Sequence, residues 1–171
     1  PLHALTQRPA AIYHSWGGHN AWLRQIHGTN PLYINRRTAE PLGIKDGDWV
    51  WVISRHSRIK ARVKLMEGVN VNTVWTWNAI GKRAGSWNLA PDSPEAVTGF
   101  LLNHVISELL PPRADGYRYA NADPVTGQAA WYDLRVRIEK ADAAEAGESA
   151  PQFAPLVVPK SLPERPAILR Y

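Results

Sequence analysis

The 171 residues include 44% hydrophobic side chains, enough for one domain with its own core and a tail. There is no cysteine, which excludes disulfides, cysteine-ligated iron–sulfur clusters and thiolate chemistry within the chain, and no apolar run nears the roughly 20 residues of a membrane-spanning helix. A formal charge of +5 suits anionic ligands, but Lys and Arg are spread along the sequence, unlike the clustered footprint of a nucleic-acid binder.

The chain opens at Pro1 without Met or a charged leader, and residues 2–8 (LHALTQR) already read as a strand. It is therefore expected to be the interior of a longer polypeptide. Residues 9–30 hold Pro9, Gly17, Gly18 and Gly28 among aromatic and polar groups, which reads as an ordered loop with a short helix around 20–26. Such a loop inside a compact domain is often functional.

Residues 32–35 read as a short strand, and 38–42 as a short helix ended by Gly43. Lys45-Asp46-Gly47-Asp48 turns the chain into Trp49-Val50-Trp51-Val52-Ile53, a dense β-branched and aromatic strand. In 58–66, Ile59, Ala61, Val63 and Leu65 alternate with Arg58, Lys60, Arg62 and Lys64, so a strand with an outward basic face is expected. Glu67-Gly68 makes a turn before a further strand at 73–77. The i, i+2 pairs Trp49/Trp51 and Trp75/Trp77 each share a face and suit core or interdomain packing.

Residues 79–94 read as loop, and Ser93 and Pro94 as the start of a helix over 94–109 stopped by Pro111-Pro112. A second loop over 113–130 leads to a last alternating strand, 133–139. Residues 141–150 are expected to be a solvated Ala/Glu-rich linker, and 151–171 a Pro-rich tail. The expected division is thus a barrel domain at 1–140 and an appended linker and tail at 141–171. Several short strands with few helices predict a mainly β chain built on a barrel.

The stretch 31–74, with Leu-Gly-Ile-Lys-Asp-Gly-Asp at its centre, resembles the C-terminal cofactor domain of the molybdopterin oxidoreductases, the dimethyl sulfoxide reductase superfamily. That resemblance implies a six-stranded double-psi β-barrel holding a molybdopterin guanine dinucleotide. Motifs on both flanks strengthen it. Thr6-Gln7-Arg8 is similar to the family's Thr-x-Arg after the first strand, and His14-Ser15-Trp16-Gly17 to its following His-Ser/Thr loop. Asn103-His-Val-Ile and Asp123-Pro-Val-Thr-Gly-Gln128 are similar to its Asn-x-Leu-Thr and Asp-Pro-x-Ser-Gly before the last strand. Two departures stand out: Asn103 lies far from Asp123, and Tyr132 or Asp133 replaces the family's Lys.

The resemblance implies cofactor contacts at Thr6, Arg8, His14, Ser15, Trp16, Asn103, Asn121 and Gln128. Asn103 and Asn121 compete for the role of pterin-facing amide. The chemistry suits these residue types. Arg binds phosphate through paired charge-assisted bonds. Hydroxyls and glycine-loop amides add donors, Trp16 or Trp22 offers a face to a heteroaromatic ring, and an amide both donates and accepts. The bland alternative pairs Arg8 with a surface carboxylate and buries Trp16 in the core. For the six histidines, the spacing of His14 and His19 does not match a helical metal pair.

Tyr13-His-Ser-Trp-Gly followed by Asn20-Ala-Trp-Leu-Arg-Gln-Ile is similar to large subunits of the sulfite dehydrogenase and polysulfide or thiosulfate reductase type. That likeness implies a whole assembly. The chain would be one non-catalytic domain of a molybdenum or tungsten oxidoreductase. Other domains would supply the metal's protein ligand. The expected partners are the other domains of the same large subunit, together with electron-transfer (4Fe–4S) and membrane-anchor subunits, with no nucleic acid. The complex would lie on the cytoplasmic or periplasmic face of a bacterial membrane, the cytoplasmic face being favoured by the sulfite dehydrogenase likeness. Formate or arsenic oxyanion chemistry of the same superfamily is the alternative. A stand-alone double-psi module binding nucleic acid or protein is the alternative of another class.

Overall fold

A computed structural model describes residues 1–14, 16–17, 20–78, 80, 101–107, 109–111, 114, 120–129, 134–147 and 152–154. Ser15, the start of the expected 94–109 helix, Tyr132, Asp133 and the tail beyond 154 lie outside the described residues.

Six strands close on themselves: β1 (Leu2–Gln7), β2 (Leu32–Ile34), β3 (Trp49–Ile53), β4 (Ser57–Leu65), β5 (Thr73–Trp77) and β6 (Arg135–Lys140). The order is β2–β5–β1–β6–β3–β4, and β4 pairs back onto β2. Closure leaves none of the six as an open edge. Two pairings are parallel, β1 with β5 from His3↔Thr73 to Gln7↔Trp77 and β2 with β4 from Leu32↔Val63 to Ile34↔Leu65, and the rest are antiparallel. This is the double-psi barrel that the resemblance implied.

The period-2 pattern sets which side chains fill the barrel. Ala4, Leu32, Ile34, Val50, Val52, Ile59, Ala61, Val63, Val74, Val136 and Ile138 form one buried cluster. Each large aliphatic side chain buried there contributes about 1.5–3 kcal/mol. The outer face carries aromatic packing, where Tyr33 stacks on Trp75 at 3.9 Å and Trp77 meets Trp75 edge-on at 4.7 Å.

The connection from β2 to β3 is built by local chemistry. Asn35 caps α2 (Arg36–Ala39) by accepting from Arg37 N at 2.9 Å. Its Nδ2 donates to the carbonyls of Glu67 and Val69 at 3.1 and 2.6 Å. A 3-10 turn, Glu40–Leu42, ends at Gly43 with φ +66°, where a Cβ would be strained. Ile44 then drops into the core.

Three expectations are corrected. Lys60 is buried, not outward in solvent. Its stem lies beside the Trp51 ring, with Nζ 5.5 Å from the ring centroid, and its ammonium donates to the Glu145 carbonyl. The described end of the 94–109 segment is not α-helical: Leu101 is extended (φ −111°, ψ 126°), Leu102–Val105 is a 3-10 turn, and Ile106 is extended again. The i, i+3 spacing of Leu102 and Val105 suits that tighter turn, which buries both against the barrel. Residues 141–150, expected as a solvated linker, are pinned to the barrel over their described part. A 3-10 turn, Ala143–Glu145, is held by an Asp142/Glu145 capping box, and Glu145 Oε2 accepts from Trp51 Nε1 at 3.1 Å. A seventh strand, β7 (Gln152–Phe153), then pairs with Ser57 and Arg58 at the start of β4.

Candidate functional site

Strand direction gathers the predicted residues at one end of the barrel. β1 and β5 run parallel and finish side by side, with Asn78 N donating to Gln7 O at 2.8 Å. β2 and β6 run antiparallel to these and begin at that end. The β3–β4 hairpin, Ser54 to His56, turns there too, because Ile53 pairs with Arg137 near the start of β6. Arg8, loop 9–31, Asn78 and the segment leading into Leu134 therefore all meet at this end. The Glu67-Gly68 turn lies at the other, while the Asp46-Gly47 turn stands beside the start of β2, in one cavity with Thr29, Asn30 and Pro31.

On the β1 side, Thr6 is half-buried opposite Thr76 and Arg8 is exposed just past the strand. His14 takes φ +49°, a left-handed conformation costing an ordinary residue about 1–2 kcal/mol. Strain of that kind is concentrated at functional sites. Tyr13 meets the His14 ring edge-on at 4.8 Å and the Trp16 ring at 5.8 Å. Trp16 is 74% exposed and Trp22 81% exposed, so the reading that buries Trp16 in the core fails. Trp22 sits on α1 (Ala21–Ile26), started by Asn20 Oδ1 accepting from Trp22 N at 2.9 Å.

On the β6 side, Asn103 and Asn121 line one cavity of about 390 Å³ together with Ser107 and Gly127. The two competing amides are thus placed together. Asn121 Nδ2 donates to Ser107 O at 3.4 Å. Gln128 is exposed, and its carbonyl accepts from Asp123 N at 2.7 Å to close the Asp123–Gln128 turn. Asp123 Oδ1 accepts from the Thr126 amide at 2.7 Å, the Thr126 hydroxyl at 2.9 Å and the Val125 amide at 3.0 Å. Those bonds, the Thr126 amide first, hold the Asp123 carboxyl below its ordinary range. Gly127 completes the turn at φ +71°. Among the described residues no hydrogen bond joins the Thr6–Trp16 group to the Asn103–Asn121 cavity.

Sequence reading missed two asparagines. Asn30 is buried, donates to Trp77 O and Ile80 O at 2.9 and 3.0 Å, and accepts from Thr76 Oγ1 and Trp77 N at 2.5 and 3.1 Å. It fastens the end of loop 9–31 to the end of β5. Asn78, beside Arg8 in register, has a buried Oδ1 with no hydrogen-bond partner among the described residues. A buried acceptor left unpaired is costly. Here it stands at the barrel end that also presents an exposed Arg, two exposed Trp rings and a two-amide cavity. That donor and acceptor set fits a phosphorylated heteroaromatic group carrying N–H donors.

Comparison with known proteins identifies the family and the fold. The family model described as molydopterin dinucleotide binding domain matches residues 2–120. The chain is 56% identical over 156 residues to a sulfite dehydrogenase subunit of Allochromatium vinosum, covering 91% of this chain and 16% of that protein. It is 27% identical over 85 residues to the thiosulfate reductase molybdopterin-containing subunit of Salmonella typhimurium, covering 50% of this chain and 11% of that one. Acetylene hydratase from Pelobacter acetylenicus shares the fold, with a TM-score of 0.60 at 21% identity over 82% of this chain and 18% of that one. The chain thus spans only a small part of the length of each of these proteins.

Proposed function

The chain belongs to the molydopterin dinucleotide binding domain family, and from that premise we propose that it is the cofactor-holding domain of a sulfur-compound oxidoreductase, with sulfite oxidation the favoured reaction. The observation that carries this reading is the 56% identity to the sulfite dehydrogenase subunit across 91% of the chain. Polysulfide or thiosulfate reduction is the second reading, favoured by the weaker thiosulfate reductase likeness. The barrel at 1–140 is the binding unit, and 141–171 is an appended segment that begins by folding back over β3 and β4.

When bound, a molybdopterin guanine dinucleotide supplies two-electron redox chemistry at molybdenum or tungsten. This chain's residues hold and orient it. Arg8 neutralises phosphate, with Thr6, His14 and Ser15 adding polar contacts. Trp16 covers a ring face and excludes water. Asn103, Asn121 and Gln128 read the polar edges, and Asn78 Oδ1 accepts an N–H. Iron–sulfur clusters, electron-transfer and anchor subunits, and a position on the cytoplasmic face of a membrane belong to the same proposal.

The test uses the complete polypeptide that contains this chain, purified anaerobically. Molybdenum or tungsten, guanine nucleotide released by acid and sulfite-dependent reduction of an artificial acceptor are the expected results. A folded protein with neither metal nor nucleotide, from cells that make the cofactor, would overturn the reading. In the same protein, Arg8→Ala and Asn103→Ala should lower cofactor occupancy while leaving the thermal unfolding midpoint close to that of the parent.

A further inference from the structure

Asn103 is carried on a single 3-10 turn, Leu102–Val105, with extended backbone at Leu101 and Ile106 on either side and no side-chain cap. Its hydrogen bonds are long, 3.1 Å from His104 N to Leu101 O and 3.2 Å from Ile106 N to Asn103 O. One such turn has little stiffness of its own. We propose that the segment 141–154 is a strap that positions this turn, with Ser57 as the positioning residue that joins the two. The inference rests on the function proposed above, in which Asn103 faces the cofactor. It extends that function to a segment beyond the 2–120 stretch that the family model matches.

The turn is tied to the barrel by contacts of two kinds. Leu102 and Val105 are buried in the core cluster. Apolar contact is non-directional, so these two set the depth of the turn more than its rotation, and the exposed Asn103 lies between them in sequence. A hydrogen bond is directional. The Ser57 hydroxyl, at the start of β4, supplies one by donating to the carbonyl of His104, the residue after Asn103.

Ser57 is itself held from the strap side. On the side of β4 away from β3, β2 pairs from Leu32↔Val63 to Ile34↔Leu65, and β7 pairs with Ser57 and Arg58. Without β7 that start of β4 is an open edge beside a hairpin, where strands fray. The strap leaves β6 beside the start of β3, where Ala141 N donates to Trp49 O at 2.9 Å. It returns to the hairpin, where Ala154 N donates to His56 O at 2.7 Å. On the way the Glu145 carboxylate takes Trp51 Nε1 and its carbonyl takes Lys60 Nζ. Gln152 Oε1 accepts from Arg58 Nε at 2.6 Å, and Phe153 meets the His56 ring edge-on at 5.4 Å. None of the described residues from 142 to 154 joins the core cluster. The strap therefore grips the outer face of β3 and β4 and ends on the pair Ser57↔Phe153, one hydroxyl away from the turn that bears Asn103.

The experiment compares the full-length subunit with its S57A, S57T, A154P and I34V forms. S57A removes the hydroxyl and leaves the backbone pairing, and A154P removes the N–H that meets His56 O. Ile34, in the core on β2, supplies a control that lowers stability elsewhere. Hydrogen exchange at the His104 and Ile106 amides, the rate of guanine-nucleotide release and the thermal midpoint are measured. S57A and A154P should raise exchange at both amides and leave the β1–β5 amides unchanged. Release should quicken about fivefold, the equivalent of one neutral hydrogen bond. S57T keeps the hydroxyl and should stay near the parent. Parental exchange and release in S57A, or in A154P, overturns the proposal. So does an S57T form no better than S57A. An I34V form that releases nucleotide as fast as S57A also overturns it, since lost stability alone would then explain the effect. A parent without nucleotide would sink the cofactor function instead, while the exchange measurement still tests the strap, so the two failures are distinguishable.

Discussion

Replacing Asn30 by Ala removes one side chain that serves four groups at the end of β5. The carbonyls of Trp77 and Ile80 lose their donor, and the Thr76 hydroxyl and Trp77 amide lose their acceptor. A buried group left without its partner costs about 1–3 kcal/mol. Carbonyls tolerate under-satisfaction better than amides, and the Thr76 hydroxyl keeps a contact with Pro31 O at 3.2 Å. The expected loss is therefore about 3–5 kcal/mol, toward the large end for a single substitution. Urea unfolding of the chain measures it as a lower midpoint at unchanged slope. Thr76→Val should cost less, and the double variant should show coupling of about 0.5–3 kcal/mol. An N30A chain within about 0.5 kcal/mol of the parent, the range of neutral surface changes, would refute the account.

Acid should weaken the fold through Asp46 and Asp48. The Leu65 amide holds the Asp46 carboxyl below its ordinary range, and the Lys140 ammonium does the same to Asp48. A carboxyl lowered in this way contributes stability that is complete above the unfolded pKa of about 4 and disappears as pH falls through the lower folded value. Urea midpoints should therefore decline only below that point, and less steeply in D46N and D48N; identical acid limbs in all three would contradict this. Gly127→Ala places a Cβ where φ is +71° but space is open, so it should cost about 1–2 kcal/mol from conformation alone; a neutral result would mean the turn relaxes. Phe153→Ala should raise hydrogen exchange at Ala154 and Ser57 without exposing the β1–β5 amides, and uniform protection would show that β7 does not depend on that ring.

The strands were legible because strand signals are local: the runs of β-branched and aromatic residues at 49–53 and 73–77 appear as β3 and β5. The candidate end of the barrel was legible as motifs, but its geometry was not. Asn30 meets partners 46 to 50 positions away, so nothing near it in sequence marks it as a hub. Lys60 obeys the period-2 rule in direction, and only the return of Glu145 across Trp51 turns its solvent face into a covered one. The apolar spacing around Leu102 fits a helix as well as a 3-10 turn, and packing against the barrel decides between them. Pairing of Asn103 with Asn121 in one cavity needed the intervening chain to fold.

Closure of the barrel also governs when the molecule can form. β1 lies between β5 and β6, and Leu2 meets Val136. On a ribosome adding about 5–20 residues per second, the first strand waits on the order of ten seconds for its second neighbour. During that interval the β6 side of β1 offers unpaired backbone, and the β5 side does so until residues 73–77 are made, with Ala4 and half-covered Leu2 as apolar company. Contacts of such long sequence separation fold slowly. Early chaperone engagement of the nascent chain would shield this segment, and truncation before β6 would leave a polypeptide that cannot shut its ring.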